Sequence, residues 1–241
     1  MQAIILAAGQ GTRLLPLTKD MPKCLVNVNG KSMLERQLDS LALSKKIKEV
    51  IIVIGYKGQM IKEQIGNVYQ GMEIKYVEND DYEISNNIYS FYLADQLIND
   101  NFILLESDIV FEPELLKDIS KFENSALLGK YKPFMNGAAA TVKKGMVHDI
   151  IMTSHQPKNF KISDKYKTIN IYTFTHDFYF KYIRPYLSLH IKTFGATDYY
   201  EFVLKTLINI HAEVKANIIT KAKWYEIDSK EDLKEAEKMF K

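Results

Sequence analysis

Ile4-Ile5-Leu6-Ala7-Ala8-Gly9-Gln10-Gly11-Thr12-Arg13-Leu14 lies close to the start of the chain. The first five residues are uninterruptedly apolar and stop at a glycine, the pattern of a β-strand buried on both faces. The loop that follows lets backbone N–H groups approach phosphate oxygens, and Arg13 and Lys23 add positive charge. Two standard phosphate-binding patterns do not fit. A dinucleotide fingerprint needs glycine where Leu14 stands, and a P-loop ends in Gly-Lys-Ser/Thr.

Outward from this stretch, strands and helices alternate. Cys24 to Val28 is a short run closed by the turn Asn29-Gly30, and Met33, Leu34, Leu38, Leu41 and Ala42 recur at helical spacing. Val50 to Ile54 predicts the next buried strand, with a short helix at Met60, Ile61 and Ile65 after it. A strand (Ile74 to Val77), a helix (about Ile88 to Leu97) and a strand (Phe102 to Leu105) continue the alternation. Such βαβ units predict an α/β fold, a Rossmann-like three-layer sandwich around a mostly parallel, mixed central sheet. Ligands of these sheets bind beyond the carboxyl ends of the strands, so the loops after Ala8 and Leu105 are the ones to inspect. Further on, Ala138 to Val142 and Thr168 to Phe174 read as strands, and Asp177 to Leu187 and Asp198 to His211 as helices. Ser229 with Asp232 starts a last helix through Leu233, Ala236 and Phe240. No linker or repeat interrupts the chain. The expectation is one domain over 1–241, with a nucleotide-binding half (about 1–110) and an acceptor-binding half (about 111–241).

Composition narrows the class. The 241 residues are 46% hydrophobic and 26% charged, ordinary for a globular protein. With 32 basic and 30 acidic residues the formal charge is +2, which gives no electrostatic footprint for nucleic-acid binding. The one cysteine, Cys24, excludes an intrachain disulfide and a cysteine-cluster metal site; it reads as a packed residue. The five histidines form no metal-binding pair. The apolar opening lacks a basic flank and is cut short at Gly9, and no segment approaches ~20 apolar residues, so neither a signal peptide nor a membrane span is expected.

Taken together, Leu6-Ala7-Ala8-Gly9-x-Gly11-Thr12-Arg13-Leu14-x-Pro16-Leu17-Thr18 followed by Pro22-Lys23 resembles the signature loop of nucleotidyltransferases that make sugar nucleotides and activated polyol or choline phosphates. The resemblance implies transfer of a nucleotidyl group from an NTP to a phosphate, with release of pyrophosphate. It implies nucleotide contacts from Leu6, Ala7, Ala8, Gly9, Gly11, Thr12 and Arg13, with Arg13 and Lys23 as catalytic residues. Two further strings match the family, Leu104-Leu105-Glu106-Ser107-Asp108 and Trp224-Tyr225-Glu226-Ile227-Asp228-Ser229. There the aspartates hold Mg²⁺, so Asp108 and Asp228 are the expected metal ligands. Helix capping is the other reading of Asp228, and Ser229 is an equal candidate for that duty.

Where sugar-nucleotide makers carry a Gln-Pro-x-Gly segment, this chain has Glu78-Asn79-Asp80-Asp81-Tyr82 and Ser85-Asn86-Asn87-Ile88-Tyr89-Ser90. The latter resembles cytidylyltransferases acting on phosphocholine and 2-aminoethylphosphonate and implies that Asn86, Asn87 and Ser90 meet the nucleotide. Ser85 or Asn86 also reads as a plain helix cap. Tyr166 to Tyr172 and Gly195 to Glu201 are similar to segments of the same enzymes. Tyr82, Tyr89, Tyr172, Tyr199 and Glu201 become the expected acceptor-binding residues, suited to a cationic or amine-bearing head. The resemblance is weakest between about 110 and 165.

The expected partners are therefore CTP and a small phosphorylated or phosphonylated acceptor, with no nucleic acid and no membrane. The implied setting is the cytoplasm and the decoration of a cell-surface polymer or lipid; a homodimer is left open. A sugar-1-phosphate nucleotidyltransferase using UTP or dTTP is the alternative. A nucleotide-sensing domain is disfavoured because Lys23, Asp108 and Asp228 are all present, and a glycosyltransferase because the acidic string reads Glu-Ser-Asp.

Overall fold

The alternating apolar runs build one ten-stranded sheet. A computed structural model describes residues 1–241. In chain order it places β1 (Gln2–Ala7), β2 (Asn27–Val28), β3 (Lys31–Ser32), α1 (Met33–Leu43), β4 (Glu49–Ile54), α2 (Gly58–Ile65), β5 (Val68–Tyr69), β6 (Met72–Glu78), α3 (Asn87–Ala94) and β7 (Phe102–Glu106). Next come β8 (Ile109–Phe111), β9 (Ser125–Lys130), β10 (Ala139–Lys143), β11 (Met146–Ile151), β12 (Tyr166–Phe174), the single turn α4 (His176–Phe178) and α5 (Arg184–Phe194). The chain ends with α6 (Glu201–Asn209), β13 (Lys215–Ile219), β14 (Trp224–Glu226) and α7 (Lys230–Met239).

The strand order is β10-β11-β13-β9-β12-β7-β1-β4-β6-β5. Pairing from β7 through β1 and β4 to β6 is parallel, as the βαβ pattern requires. Beyond β7 it is largely antiparallel, with β9–β13 the parallel exception, so the mixed sheet is parallel in the nucleotide half and mainly antiparallel in the other. Ile4 and Leu6 pack with α3, α5 and α6, while Ala3, Ile5 and Ala7 pack with α1 and α2. That alternation makes β1 the shared wall of two cores. No helix is long and apolar enough to cross a membrane.

Several strands escape the sequence patterns. Ser125–Lys130 (β9) carries leucines and Gly129 but no β-branched residue, and β13 is half-exposed and short. The expected helix at Asp177 to Leu187 instead runs from His176 to Phe194 and includes a π-helical stretch, Tyr179–Ile183.

A third core binds the two ends of the chain. Leu14, Val26, Val28 and Met33 pack on Val110, Tyr225, Ile227 and Ala236. Under it, buried Gln37 of α1 donates from Nε2 to the carbonyls of Glu106 and Ile109, both at 2.8 Å, and clamps the turn that carries Asp108. Gln37→Leu leaves those two carbonyls unpaired, at ~1–3 kcal/mol each, but also removes the unpartnered Gln37 Oε1, so stability should fall by on the order of 1–3 kcal/mol. Urea unfolding reads this directly, and an unchanged midpoint would contradict the clamp.

Candidate active site

Lys23 and two aspartates meet where β1, β7 and the β8–β14 ribbon converge. In that ribbon Glu226 lies opposite Ile109, and Ile227 N–H donates to Asp108 O at 2.9 Å. Residues 120 apart in sequence thus present their carboxylates to one ammonium: Lys23 Nζ donates to Asp108 Oδ2 and Asp228 Oδ1, each at 2.7 Å. Arg13 Nη2 donates to the same Asp228 oxygen at 2.7 Å. The capping question is also settled by geometry. Ser229 caps α7 in a reciprocal pair with Asp232, which leaves the Asp228 carboxylate for the cluster.

Gly11 makes the lysine's approach possible. Its φ of +65° suits glycine, and a Cβ there would lie 2.7 Å from Lys23 Cβ. The backbone N–H groups of Gly9, Gln10 and Gly11 have no acceptor within the protein.

A cavity of about 310 Å³ opens over this loop. Of the sequence-predicted residues, Leu6, Ala8, Gly9, Gly11, Thr12, Arg13, Lys23, Tyr82, Asn86, Asn87, Ser90, Asp108, Tyr199 and Asp228 line it. Asn86 is also the helix cap, its Oδ1 accepting from Asn87 N–H at 2.8 Å. Glu201, buried at the start of α6, lines a neighbouring cavity of about 510 Å³.

Three expected contacts are corrected. Tyr172 lies in the core, 1% exposed, packed against Tyr200 at 5.7 Å, because strand alternation turns it under the sheet. Tyr89 stacks on Tyr92 on the side of α3 away from the cavity, whereas Asn87 and Ser90, three apart, face it. The Ala7 side chain points into the core on the α1 side, out of phase with Leu6 and Ala8.

With this geometry in place, kinship can be read. A model of the nucleotidyl transferase family matches residues 2–238. The chain belongs to that family. It is similar to the CMP-5'-(3-aminopropyl)phosphonate synthase of Streptomyces rubellomurinus, 30% identical over 245 aligned positions, covering 100% of this chain and 39% of that protein. A choline-phosphate cytidylyltransferase of Streptococcus pneumoniae is 37% identical over 121 residues, 50% of this chain and 51% of that one. The match thus spans about two fifths to one half of these relatives. The solved structure of a CTP:phosphocholine cytidylyltransferase from Streptococcus pneumoniae, 26% identical, has a TM-score of 0.78 and covers 100% of this chain and 99% of its own. This nucleotidyl transferase groups with the phosphocholine and phosphonate cytidylyltransferases, as its Asn-Asn-x-Tyr-Ser string indicates.

The electrostatics of the nucleotidyl transferase site follow from crowding. Burial alone would lower the Lys23 pKa, but Asp108 and Asp228 outweigh it and hold the lysine above its ordinary value. Burial likewise disfavours the Asp228 charge, and Lys23 and Arg13 reverse that and keep its carboxyl below the usual range. Asp108 Oδ1 is buried without a partner. Two carboxylates, one with an orphaned oxygen, beside a loop of free N–H groups fit Mg²⁺, which takes one or two carboxylates with phosphate oxygens and water. Cys24, pushed up to about 12 by burial, is inert as a nucleophile.

Sequence reasoning missed the floor of the second cavity. Asn170 sits in β12 with φ +57°, at a register shift in the ladder, and its amide reaches Glu226 Oε1 at 3.2 Å and Glu106 Oε2 at 3.5 Å. Asn87 Nδ2 donates to Glu106 Oε1 at 2.9 Å, and fully buried Lys167 pairs with Glu226 at 2.8 Å. The available signal was Lys167 itself, a charge inside an apolar strand that demands a buried partner.

Burial and neighbouring charge push Glu106 and Glu226 up, and burial drives Glu201 from 4.5 to about 7. The folded protein therefore binds the Glu201 proton more tightly than the unfolded chain. Its stabilising effect is complete below about 4.5 and is lost as pH rises through about 7. Glu201→Gln does not titrate, so its melting temperature should gain on that of wild type between about pH 5 and 7 and level off above that. A difference constant with pH would contradict this.

Proposed function

We infer that the chain transfers CMP from CTP to a small phosphate or phosphonate bearing an amine or cationic head, releasing pyrophosphate. The observation that carries this reading is the Lys23–Asp108–Asp228–Arg13 cluster set between two cavities. One cavity lies over a loop of free backbone N–H groups; the other is lined by Glu106, Glu201 and Glu226. The first suits a triphosphate, the second a cation.

The acceptor needs little activation. Its second pKa lies near 6, so near neutral pH it is close to a dianion able to attack the α-phosphorus without a general base. The barrier is repulsion between anions, and the chain's contribution is to hold them and neutralise charge. In this reading the N–H groups of Gly9, Gln10 and Gly11 cradle the β- and γ-phosphates with Arg13. Lys23, which both aspartates keep protonated, donates to the α-phosphate, where charge builds in the transition state. Asp108 and Asp228 would hold Mg²⁺, which when bound supplies positive charge at the phosphate oxygens. Asn86, Asn87 and Ser90 read the base edge, and Tyr82, expected from the sequence at the acceptor, covers the base instead, since it lines the nucleotide cavity and not the second one. The amide and hydroxyl groups there support a pyrimidine with specified hydrogen bonds, hence CTP over UTP. The relatives named for a phosphonate and for choline phosphate support the acceptor class. A cytoplasmic reaction that activates a head group for a cell-surface polymer or lipid belongs to the same proposal.

Pyrophosphate release from the four NTPs, assayed with Mg²⁺ and a panel of small phosphates and phosphonates, tests the assignment. CTP should be preferred, and Lys23→Ala should lower kcat by on the order of 10²–10³, the usual effect of losing one transition-state contact. Equal rates with UTP, or turnover of glucose 1-phosphate comparable to that of amine-bearing acceptors, would move the chain to the sugar-nucleotide branch.

A further inference from the structure

Two cavities adjoin the Asp108–Asp228 pair on the acceptor side, and they differ in what their carboxylates lack. The smaller, about 290 Å³, has aromatic walls in Phe134, Trp224 and Tyr225. Its acids are all satisfied: Glu226 by Lys167 and Asn170, Asp228 by Lys23 and Arg13, and Asp232 by Ser229. Lys167 lines it as well, and Arg13 lines both cavities, so a cation in the smaller one meets one positive charge more.

The larger cavity is richer in acids. Glu106, Asp108, Glu201, Glu226 and Asp228 line it; its one lining cation, Arg13, is paired with Asp228, and Lys167, outside the lining, is bound to Glu226. Glu201 is 4% exposed, yet its Oε2 has no hydrogen-bond partner. The hydroxyls of Tyr172 and Tyr200, buried beside these glutamates, are unpartnered as well. Glu201 Oε2 is a buried acceptor left unpaired, which is unfavourable. The one aromatic side chain lining the cavity is Tyr199, which is half-exposed.

We propose that the acceptor carries a primary ammonium, bound in this larger cavity by Glu201 and Glu106, and that a trimethylated ammonium is excluded. This deepens, and rests on, the reading that the chain transfers CMP to a cation-bearing phosphate or phosphonate. A primary ammonium brings three N–H donors, the kind of group that an orphaned carboxylate oxygen requires. A quaternary ammonium brings none. Its methyl groups would leave Glu201 Oε2 without a donor, and its usual recognition element is an aromatic cage, which this cavity lacks.

The test is kcat/KM with CTP and Mg²⁺ for a matched series: ethanolamine phosphate, its N-methyl and N,N-dimethyl derivatives, and choline phosphate, with 2-aminoethylphosphonate to separate phosphate from phosphonate. Efficiency should fall along the methylation series, by about 10²-fold or more from the primary to the quaternary head, mostly through KM. Glu201→Gln should flatten the series by raising KM for the primary amines. Because the wild-type series stands alone, a variant that folds poorly does not blunt the test. Choline phosphate turned over as well as ethanolamine phosphate would overturn the proposal and place the head in the aromatic cavity, leaving CMP transfer intact. If no cation-bearing acceptor supports pyrophosphate release while glucose 1-phosphate does, the underlying reading falls, and this proposal with it.

Discussion

The ammonium of Lys23, 2.7 Å from each of two carboxylates drawn from opposite ends of the chain, is the contact on which the rest of the structure turns. Asp108 and Asp228 stand close because the β8–β14 ribbon registers their strands, and two buried like charges so placed repel. One lysine relieves both. Removing a partner from such an arrangement is far more costly than the pair's net contribution, since it strands a charge in a low-dielectric site. The surrounding sequence serves that convergence. Gly11 leaves room for the lysine's stem, Gln37 holds the turn before β8, and the core around Leu14, Val110 and Ile227 joins the glycine loop to α7.

The same logic with the opposite balance governs the neighbouring cavity. There the acids exceed the bases, and Glu201, the most enclosed, has an oxygen with no partner. Burial raises its pKa, so the protein in the absence of ligand carries a destabilising group that grows more unfavourable toward alkaline pH. Concentrated, poorly compensated charge of this kind marks ligand sites more often than structural ones. A cation arriving there supplies what folding alone does not, whereas the Lys23 cluster is balanced before any ligand binds.

Much of the parallel half was legible in the sequence because its strands are continuous apolar runs and its loops contain diagnostic glycines. The hairpin at Asn29-Gly30 appears with both residues at positive φ, as that dipeptide demands. The antiparallel half was less legible. β9 and β13 depend on tertiary pairing rather than local propensity. At the site, residues within the glycine loop and the Asn-Asn segment could be placed, since a single motif fixes their mutual positions. Two of the four tyrosines could not: Tyr172 and Tyr89 occupy strand and helix phases that face elsewhere, whereas Tyr82 and Tyr199 do line the cavity. Asn170 was hidden for a similar reason, because only the bulge in β12 turns its amide toward Glu106 and Glu226.

The account stands most directly on the coupling between Lys23 and its aspartates. A double-mutant cycle of Lys23→Ala and Asp228→Asn, read by urea unfolding in the absence of nucleotide and metal, isolates that coupling. Lys23→Ala alone should cost about 3–5 kcal/mol, as expected when a buried ion pair loses one partner. Adding Asp228→Asn should return part of that loss by removing one of the two like charges that Lys23 no longer separates, although Arg13 still pairs with Asp228 when Lys23 alone is replaced. Strict additivity of the two substitutions, within about 0.5 kcal/mol, would contradict the account.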